Sequence, residues 1–474
     1  MKTYTYTVLS FLLAAIMLSS CLGDDKKVEY TDTCVISSFS LGSIKQAHQM
    51  KGSKGQDSTY YTVFAGSVFP MAINQRDLTI ENPDSLPYGA LVNNVLTNCN
   101  FESLLVQRPK NLSGLEAADT LWQAYSSKDS LDFTSPRSFM VISSDGNAMR
   151  EYTVTVNVHK MDPNATVWDS LGVSDVSCPK DCELRKMAVL GGELKLLTQQ
   201  AGGQLSAFSR LVSKDGSWKQ EALSGAEGAM LETLQQEADM IYMSNEQGHI
   251  IYSVDGREWR TRLLGKPGLR LVGVSSTHFY GLMEGKLMAT AKDAEAWKEE
   301  QLDEDGNMLP AKDITMLPMV QQNGSKRLLL VGKTTEGDAA RLWSKAWTEG
   351  QGSEAEAGWV YYTENNAIKH IFPLLTQQVV LPYDGNVLLF GGKPEASAKR
   401  QSPLATGAAL DVIYNSQDYG ITWLKHSKMT FDERMTETAT EAQLITAAVE
   451  DGRFIWVLID GQLWRGRLNG VAFN

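Results

Sequence analysis

The sequence predicts an all-β chain in which a β-sandwich precedes a six-bladed β-propeller. Three observations carry this prediction. A short turn motif recurs in the C-terminal part, the segments around its copies read as strands, and a separate group of alternating strands ends near residue 160. We place the sandwich at residues 31–160 and the propeller at residues 165–474.

The turn motif is clearest at residues 416–423, which read Ser-Gln-Asp-Tyr-Gly-Ile-Thr-Trp. A hydroxyl and a carboxylate can bond to the backbone of their own turn, glycine supplies a positive φ, and the tryptophan ring packs beneath the loop. Looser copies lie upstream, including a degraded one at residues 362–366. The predicted structural residues of the four better copies are Ser213, Asp215, Trp218, Ser253, Asp255, Trp259, Asp293, Trp297, Ser416, Asp418, Gly420 and Trp423.

The spacing of the copies predicts the number of blades. The first three follow one another at about 40 residues, the size of a four-stranded blade. The later steps are longer, and we interpret each as one blade with an insertion, at residues 333–358 and 393–409. Only three strand-like runs follow the last copy, and residues 166–172 resemble the strand that follows each copy. We expect that segment to supply the missing strand and to close a ring of six blades.

This motif resembles the Asp-box, or BNR-repeat, of propellers found in sialidases, sortilin-type receptors and photosystem-assembly factors. The resemblance covers about residues 166–474. In that family the boxes lie on the outer hairpins of the blades, away from the central channel, and act structurally. The resemblance therefore implies that Asp255 and Asp418 are structural rather than catalytic residues.

The N-terminus predicts a lipid anchor. Lys2 precedes a short apolar run, so residues 1–20 are typical of a signal peptide and too short for a spanning helix. Residues 18–21 resemble a bacterial lipobox, which implies that Cys21 carries lipid and holds the protein at a membrane. Residues 21–30 form a polar spacer that resembles the export signal of surface lipoproteins in Bacteroidetes. We expect an outer-membrane lipoprotein of the cell envelope, with exposure at the cell surface preferred over the periplasmic face as the alternative.

Residues 31–160 read as a separate β domain, and its last strand shows a clean period-2 alternation that buries one face. Strands are predicted at residues 34–42, 60–64, 139–142 and 152–158. The end of the domain resembles the bacterial immunoglobulin-like domains of many Bacteroidetes lipoproteins, with Phe133 and Pro136 in matching places. This resemblance implies an immunoglobulin-like β-sandwich that acts as a spacer or a docking surface.

The composition argues against nucleic acid as a partner and limits which cysteines can form a disulfide or bind a metal. The formal net charge is −12, and no basic run occurs, which argues against nucleic acid. With Cys21 lipidated, four cysteines remain and allow three pairings in an oxidising compartment. The close pair Cys178 and Cys182 is the favoured disulfide, since a zinc site would need further His or Cys residues in that stretch. We predict neither a metal nor a cofactor.

No catalytic constellation is visible in the propeller. A sialidase needs an arginine cluster, a tyrosine with a glutamate base, and an aspartic acid. The propeller's arginines, such as Arg270 and Arg327, are scattered, the histidines form no i, i+4 pair, and no Gly-x-Ser-x-Gly elbow occurs. We predict a protein that is not an enzyme. The alternative is a glycan-active enzyme with an unfamiliar site, which requires two carboxylates in the channel mouth.

A binding role is the preferred hypothesis, with a glycan or an envelope protein as the partner. Exposed aromatic rings stack on sugars and anchor protein partners. Trp343 and Trp347, in the insertion of the fourth blade, are the candidate contacts. Their spacing puts both on one face of a strand, which also fits residues of the core.

Overall fold

The structure is a computed structural model that describes residues 34–51, 57–101, 104–107, 122–173, 182–213, 215–321, 323–362, 370–396, 398–399, 401–405, 407–439 and 444–473. The chain divides into two units, Met1–Asp162 and Pro163–Asn474. Strands, nearly all antiparallel, build both units. The fold is all-β, an N-terminal β domain followed by a β-propeller of several four-stranded antiparallel sheets.

The strands of the first unit form three sheets. They are β1 Ile36–Leu41, β2 Ser43–Lys51, β3 Asp57–Ala65, β4 Ala72–Asn74, β5 Thr79–Glu81, β6 Ala90–Leu91, β7 Thr97–Phe101, β8 Leu104–Gln107, β9 Gln123–Ala124, β10 Arg137–Ile142 and β11 Met149–Thr155. The sheets have the orders β1-β7, β3-β2-β6 and β4-β5-β11-β10-β8-β9. Only the pair of β5 with β11 is parallel among these described strands.

The predicted strands of this unit are present, with one shift. Strand β11 starts earlier than predicted because its turn closes tightly on one serine. The Ser143 hydroxyl accepts from the Ala148 amide at 2.9 Å, and the Ser143 amide donates to the Ala148 carbonyl at 2.9 Å. Every second residue of β10 is buried. This buried face, which includes Phe139, belongs to one apolar core together with the aromatic rings of Phe39 and Tyr152.

The strands of the second unit follow one another in groups of four. They are β12 Thr166–Val173, β13 Cys182–Leu190, β14 Glu193–Gln200, β15 Leu205–Leu211, β16 Lys219–Glu221, β17 Gln235–Glu237, β18 Met240–Ser244, β19 Ile250–Ser253, β20 Arg260–Leu263, β21 Arg270–Val274, β22 His278–Met283, β23 Lys286–Ala291, β24 Lys298–Glu299, β25 Lys312–Val320, β26 Lys326–Lys333, β27 Ala340–Trp347, β28 Trp359–Tyr361, β29 Val379–Tyr383, β30 Asn386–Phe390, β31 Tyr414–Ser416, β32 Leu424–Lys425, β33 Ile445–Glu450, β34 Phe454–Ile459 and β35 Gln462–Leu468. An α-helix, α1, spans Glu433–Ala439. Among the described residues, no helix is both long and apolar enough to cross a bilayer.

The described residues of this unit form six four-stranded sheets. We number them sheets one to five, from β13–β16 to β29–β32 in chain order, and sheet six, β33-β34-β35-β12. The prediction that residues 166–172 supply the missing strand is confirmed, because β12 pairs with β35 in a register that sets Thr166 against Leu468. The first strand of each sheet lies next to the first strand of the following sheet, except that β13 contacts sheet two through the 3₁₀ turn Leu231–Thr233 before β17. Strand β33 of the last sheet lies next to β13 of the first, so the ring closes.

Sheet four differs from the predicted arrangement. Strand β27 lies inside the segment interpreted as an insertion, and residues 348–358 join it to β28, the fourth strand. The connection between the third and fourth strands of this sheet lies at residues 348–358, whereas the degraded box predicted at residues 362–366 follows β28, and its residues 363–366 lie outside the described residues. The predicted insertion at residues 393–409 lies in sheet five and joins β30 to β31.

Candidate functional site

Two of the predicted boxes are built from their own side chains. Between β19 and β20, the Asp255 carboxylate accepts from the Ser253 hydroxyl at 3.0 Å and from the Arg257 and Glu258 amides at 2.8 and 3.0 Å. Trp259 is buried beneath the turn. Burial acts to raise the pKa of Asp255, but these hydrogen bonds and the Arg257 charge outweigh it and hold the pKa at about 2.

The second box lies between β31 and β32. Asp418 accepts from the Ser416 hydroxyl at 2.7 Å, and from the amide and hydroxyl of Thr422 at 2.8 and 2.7 Å. The Ser416 hydroxyl accepts from the Gly420 amide, and the fully buried Trp423 donates its indole N–H to the Gly420 carbonyl at 3.0 Å. These carboxylates are engaged in their own turns, which is a structural arrangement.

The other two boxes occupy the same hairpin without this network. Between β15 and β16, Ser213 and Asp215 are exposed, and the Arg210 guanidinium donates to the Gly216 carbonyl at 2.7 Å instead. Asp293, between β23 and β24, is also exposed. Their tryptophans, Trp218 and Trp297, are partly buried against the sheet cores.

The candidate binding tryptophans lie in the core instead. Trp343 is fully buried, donates its indole N–H to the Met308 carbonyl at 2.9 Å, and packs 5.2 Å from the Tyr361 ring. Trp347 is partly buried against the same core. Of the two interpretations of Trp343, the structure supports a core residue and not an exposed contact, because this face of β27 packs into the core of sheet four.

The cysteines offer no metal centre in the described part of the chain, where no group of three or more His, Cys, Asp or Glu side chains could hold a metal ion. Cys21 and Cys178 lie outside the described residues. Among the described residues Cys182 has no disulfide partner, and its buried thiol donates to the Leu184 carbonyl at 3.2 Å. Cys34 and Cys99 are also free, and burial raises the pKa of Cys99 to about 12.

Charged side chains from four successive sheets meet near the axis of the ring. Lys186 lies on β13, Glu232 in the turn before β17, Arg270 at the start of β21 and Asp313 at the start of β25. A guanidinium nitrogen of Arg270 lies 3.7 Å from a Glu232 oxygen, and the carboxylates of Glu232 and Asp313 both act on the Lys186 ammonium. We call these four residues the ring-mouth cluster. The side chains of Glu232, Arg270 and Asp313 are 43, 43 and 48% exposed, so a ligand can reach them.

Asp313 is held in an unusual backbone conformation. Its φ is +50°, and the pairing of β25 with β26 shifts register between Lys312 and Thr315, as in a β-bulge. The buried Lys333 ammonium lies 2.8 Å from the Asp313 carboxylate and donates to the Leu375 carbonyl at 2.7 Å. Left-handed backbone and bulges of this kind often aim a side chain at a functional site.

Polar groups on β13 and just before β29 have unmet hydrogen-bonding capacity within the described residues. The Lys186 ammonium has neither a hydrogen bond nor an ion pair there, and burial lowers its pKa although Asp313 and Glu232 act to raise it. The adjacent Arg185 donates to the Asp460 carbonyl, but its Nε is buried without an acceptor. Both amide atoms of Gln378, which precedes β29, are buried without a partner. Buried polar groups are usually bonded, so such groups mark places where a ligand or water can bind.

Sequence reasoning missed most of this cluster. The sequence shows Arg270 only as one of several scattered arginines, and nothing in it distinguishes Lys186, Glu232 or Asp313. The four residues come from separate segments of the chain, so no local motif marks the site.

Comparisons with known proteins agree with this architecture. Residues 162–474 match the family described as the DUF6242 beta propeller domain. Residues 39–156 match the family described as the DUF6242 N-terminal domain, a domain of unknown function. No curated protein matches the sequence.

The solved structures that match this chain share little sequence with it. A DUF4623 family protein from Bacteroides eggerthii DSM 20697 has 11% identity over 92% of this chain and 98% of its own, with a TM-score of 0.34. YCF48 bound to D1 peptide has 12% identity over 69 and 84%, with a TM-score of 0.31. The α-L-arabinofuranosidase Arb93A from Fusarium graminearum, in complex with an iminosugar inhibitor, has 11% identity over 65 and 99%, with a TM-score of 0.36. On the match of both its domains, this chain belongs to the DUF6242 family.

Proposed function

We propose that this protein is a lipoprotein of the outer membrane or cell surface whose propeller is a non-catalytic binding module for a glycan or an envelope protein. The lipobox-like residues that end at Cys21 support the anchor. We further propose an immunoglobulin-like sandwich before a six-bladed propeller. The single apolar core of the first unit and the six four-stranded sheets in a closed ring support that finer description.

The ring-mouth cluster is the observation that carries the binding role. Structural hydrogen bonds engage the carboxylates of the two well-formed boxes, whereas Glu232, Arg270 and Asp313 are partly exposed near the axis. Carboxylates accept and guanidinium groups donate hydrogen bonds, so together they suit the hydroxyls of a sugar or the polar groups of a protein loop. The ligand therefore binds, on this proposal, where the innermost strands begin.

A glycan array and a whole-cell pull-down with the chain from residue 28 onward test this proposal. The variants Glu232→Gln and Arg270→Gln remove the charges of one ring-mouth pair, whose atoms lie 3.7 Å apart. The matched control removes the exposed pair of Glu258 and Arg260, 3.5 Å apart, through Glu258→Gln and Arg260→Gln. We expect the first pair of variants to weaken binding about tenfold or more, since hydrogen bonds to charged groups contribute about 1.5–3 kcal/mol. Equal binding by both sets would place the recognition site elsewhere.

A second candidate is a glycan-active enzyme. The observation that favours it is that two carboxylates, Glu232 and Asp313, act on the same ammonium of Lys186. Glycoside hydrolysis uses two carboxyl groups about 5–10 Å apart, one as an acid and one as a base or nucleophile. Incubating every glycan that binds with the protein, and measuring newly formed reducing ends, decides between the two. Product that Glu232→Gln abolishes supports the enzyme, and binding without product supports the module.

A further inference from the structure

We propose that the ring mouth binds an anionic group of its ligand, a carboxylate or a sulfate, through Arg185 and Lys186. This inference rests on the proposed binding function and names the chemistry that the site selects. The anionic group is one part of a larger ligand. On this proposal the other polar groups of the ring mouth contact the uncharged part of that ligand.

The distribution of charge at the mouth supports an anion. Glu232 has Arg270 at 3.7 Å, and Asp313 has Lys333 at 2.8 Å, so both carboxylates already have a cationic neighbour. In the described part of the chain, no carboxylate lies within ion-pair distance of Arg185 or Lys186. Arg185 and Lys186 are thus the basic residues of the mouth without an ion-pair partner among the described residues. An anionic group would supply that partner.

The unsatisfied hydrogen-bond donors of Arg185 and Lys186 also favour an anionic ligand. Arg185 donates to the Asp460 carbonyl, and its buried Nε has no acceptor among the described residues. The guanidinium fork matches the paired oxygens of a carboxylate or a sulfate, and the Lys186 ammonium adds three donors. Because both side chains are partly buried, an anion interacts with them more strongly than it would with fully exposed lysines.

The position of the two residues defines where the anion lies. Arg185 and Lys186 are consecutive on β13, so their side chains leave opposite sides of the innermost strand. Arg185 points to the Asp460 loop of sheet six, whereas Lys186 lies near Glu232 before sheet two. On this proposal the anionic group lies at the channel end of β13, between the two side chains, and each of them reaches it from its own side of the strand.

Calorimetric titration of the chain from residue 28 onward tests the proposal with three probes: trigalacturonate, a sulfated disaccharide and neutral galactotriose. We expect an anionic probe to bind about tenfold or more tightly than the neutral one, and Lys186→Gln and Arg185→Gln to remove that preference. Added salt should weaken the anionic binding. The matched control is Lys286→Gln, which removes an exposed lysine paired with Glu299 and should change nothing.

Lys186→Gln decides the outcome if Arg185→Gln disturbs the Asp460 loop, because Lys186 has no hydrogen bond to lose among the described residues. A rise in melting temperature with sulfate over chloride, at equal ionic strength and absent in Lys186→Gln, supports the site independently. Neutral and anionic probes that bind alike would overturn this inference and leave the proposed function standing. No binding to any anionic probe, together with an empty glycan array and pull-down, would overturn both.

Discussion

Gly420 of one box lies directly against Leu329 in the preceding sheet. Its φ is +102°, and a Cβ atom at this position would meet the Leu329 methyl carbons at 2.5 and 2.6 Å. Gly256, with a φ of +74°, stands in the same relation to the Lys195 side chain, at 3.3 Å. In both cases the box touches the second strand of the sheet before it. The motif therefore closes its own hairpin and also joins neighbouring sheets.

Replacing Gly420 by alanine should destabilise the propeller strongly. The positive φ costs an L-residue about 1–2 kcal/mol, and overpacking against Leu329 adds about 1–3 kcal/mol. Gly452→Ala is the matched control, since Gly452 has a φ of +67° and open space around it. Urea unfolding of both variants measures the difference. Equal losses would show that the contact with Leu329 does not matter.

The carboxylate of Asp418 should contribute to stability, whereas that of Asp293 should not. Asp418→Ala leaves the Thr422 amide and the Ser416 hydroxyl without their acceptor, which costs about 1–3 kcal/mol. Asp293→Ala alters an exposed residue in the equivalent hairpin of another sheet and should stay within about 0.5 kcal/mol. Chemical denaturation of the two variants compares them. A similar loss for both would contradict the structural role of the well-formed box.

Acid should weaken the protein through Glu354. This buried carboxylate accepts from the Tyr280 hydroxyl at 2.7 Å and the Thr277 hydroxyl at 2.6 Å, and so ties residues 348–358 of sheet four to sheet three. Burial acts to raise its pKa, but hydrogen bonds from His278, Ser275, Thr277 and Tyr280 outweigh it and lower the pKa from 4.5 to about 2.

Since the pKa of Glu354 is lower in the folded state, its stabilisation is present above pH 4.5 and is lost as the pH falls toward 2. We expect Glu354→Gln to be less stable at neutral pH and to lose less stability than the wild type over that range. Melting temperatures of both proteins across this pH window provide the measurement. An identical pH dependence would assign the acid sensitivity to other carboxylates.

The ion pair of Lys345 with Glu300 should behave as a coupled unit. Lys345 is fully buried, its ammonium lies 5.6 Å from the Tyr280 ring centre, and Trp359 donates to Glu300 at 2.8 Å. Lys345→Met leaves an uncompensated buried carboxylate and should cost about 3–5 kcal/mol. Adding Glu300→Gln should recover part of that loss. A double-mutant cycle measures the coupling, and strictly additive losses would contradict it.

The boxes could be predicted because their chemistry is local. Ser416, Asp418 and Thr422 bond to one another within a single turn, so the residue types and their order suffice to identify the hairpin. The edge strand at residues 166–172 was predictable for a related reason, since it repeats a pattern present after each box. Period-2 alternation likewise predicted β11, the partner of β10 in the first unit.

Sheet four shows where local patterns mislead. Leu342 and Trp343 pair with Val331 and Leu330 of β26, so β27 is an ordinary third strand. The connection between β27 and β28 contains no recognisable box. The weak resemblance at residues 362–366 therefore placed the predicted hairpin after β28 instead of before it. The sequence around an aromatic residue looks the same whether its face of the strand contacts solvent or packs against a neighbouring sheet.

The amino-acid sequence alone determined the all-β class, the order of the two domains and the hairpins whose bonds stay within a few residues. Only the tertiary structure decided that Trp343 is core and that Lys186, Glu232, Arg270 and Asp313 meet near the axis. Three of those residues lie in the first strands of different sheets and Glu232 lies in the turn before a fourth, so they become neighbours only when the ring closes. Burial and charge pairing depend on that closure, because contacts between distant segments leave no periodic signal in the chain.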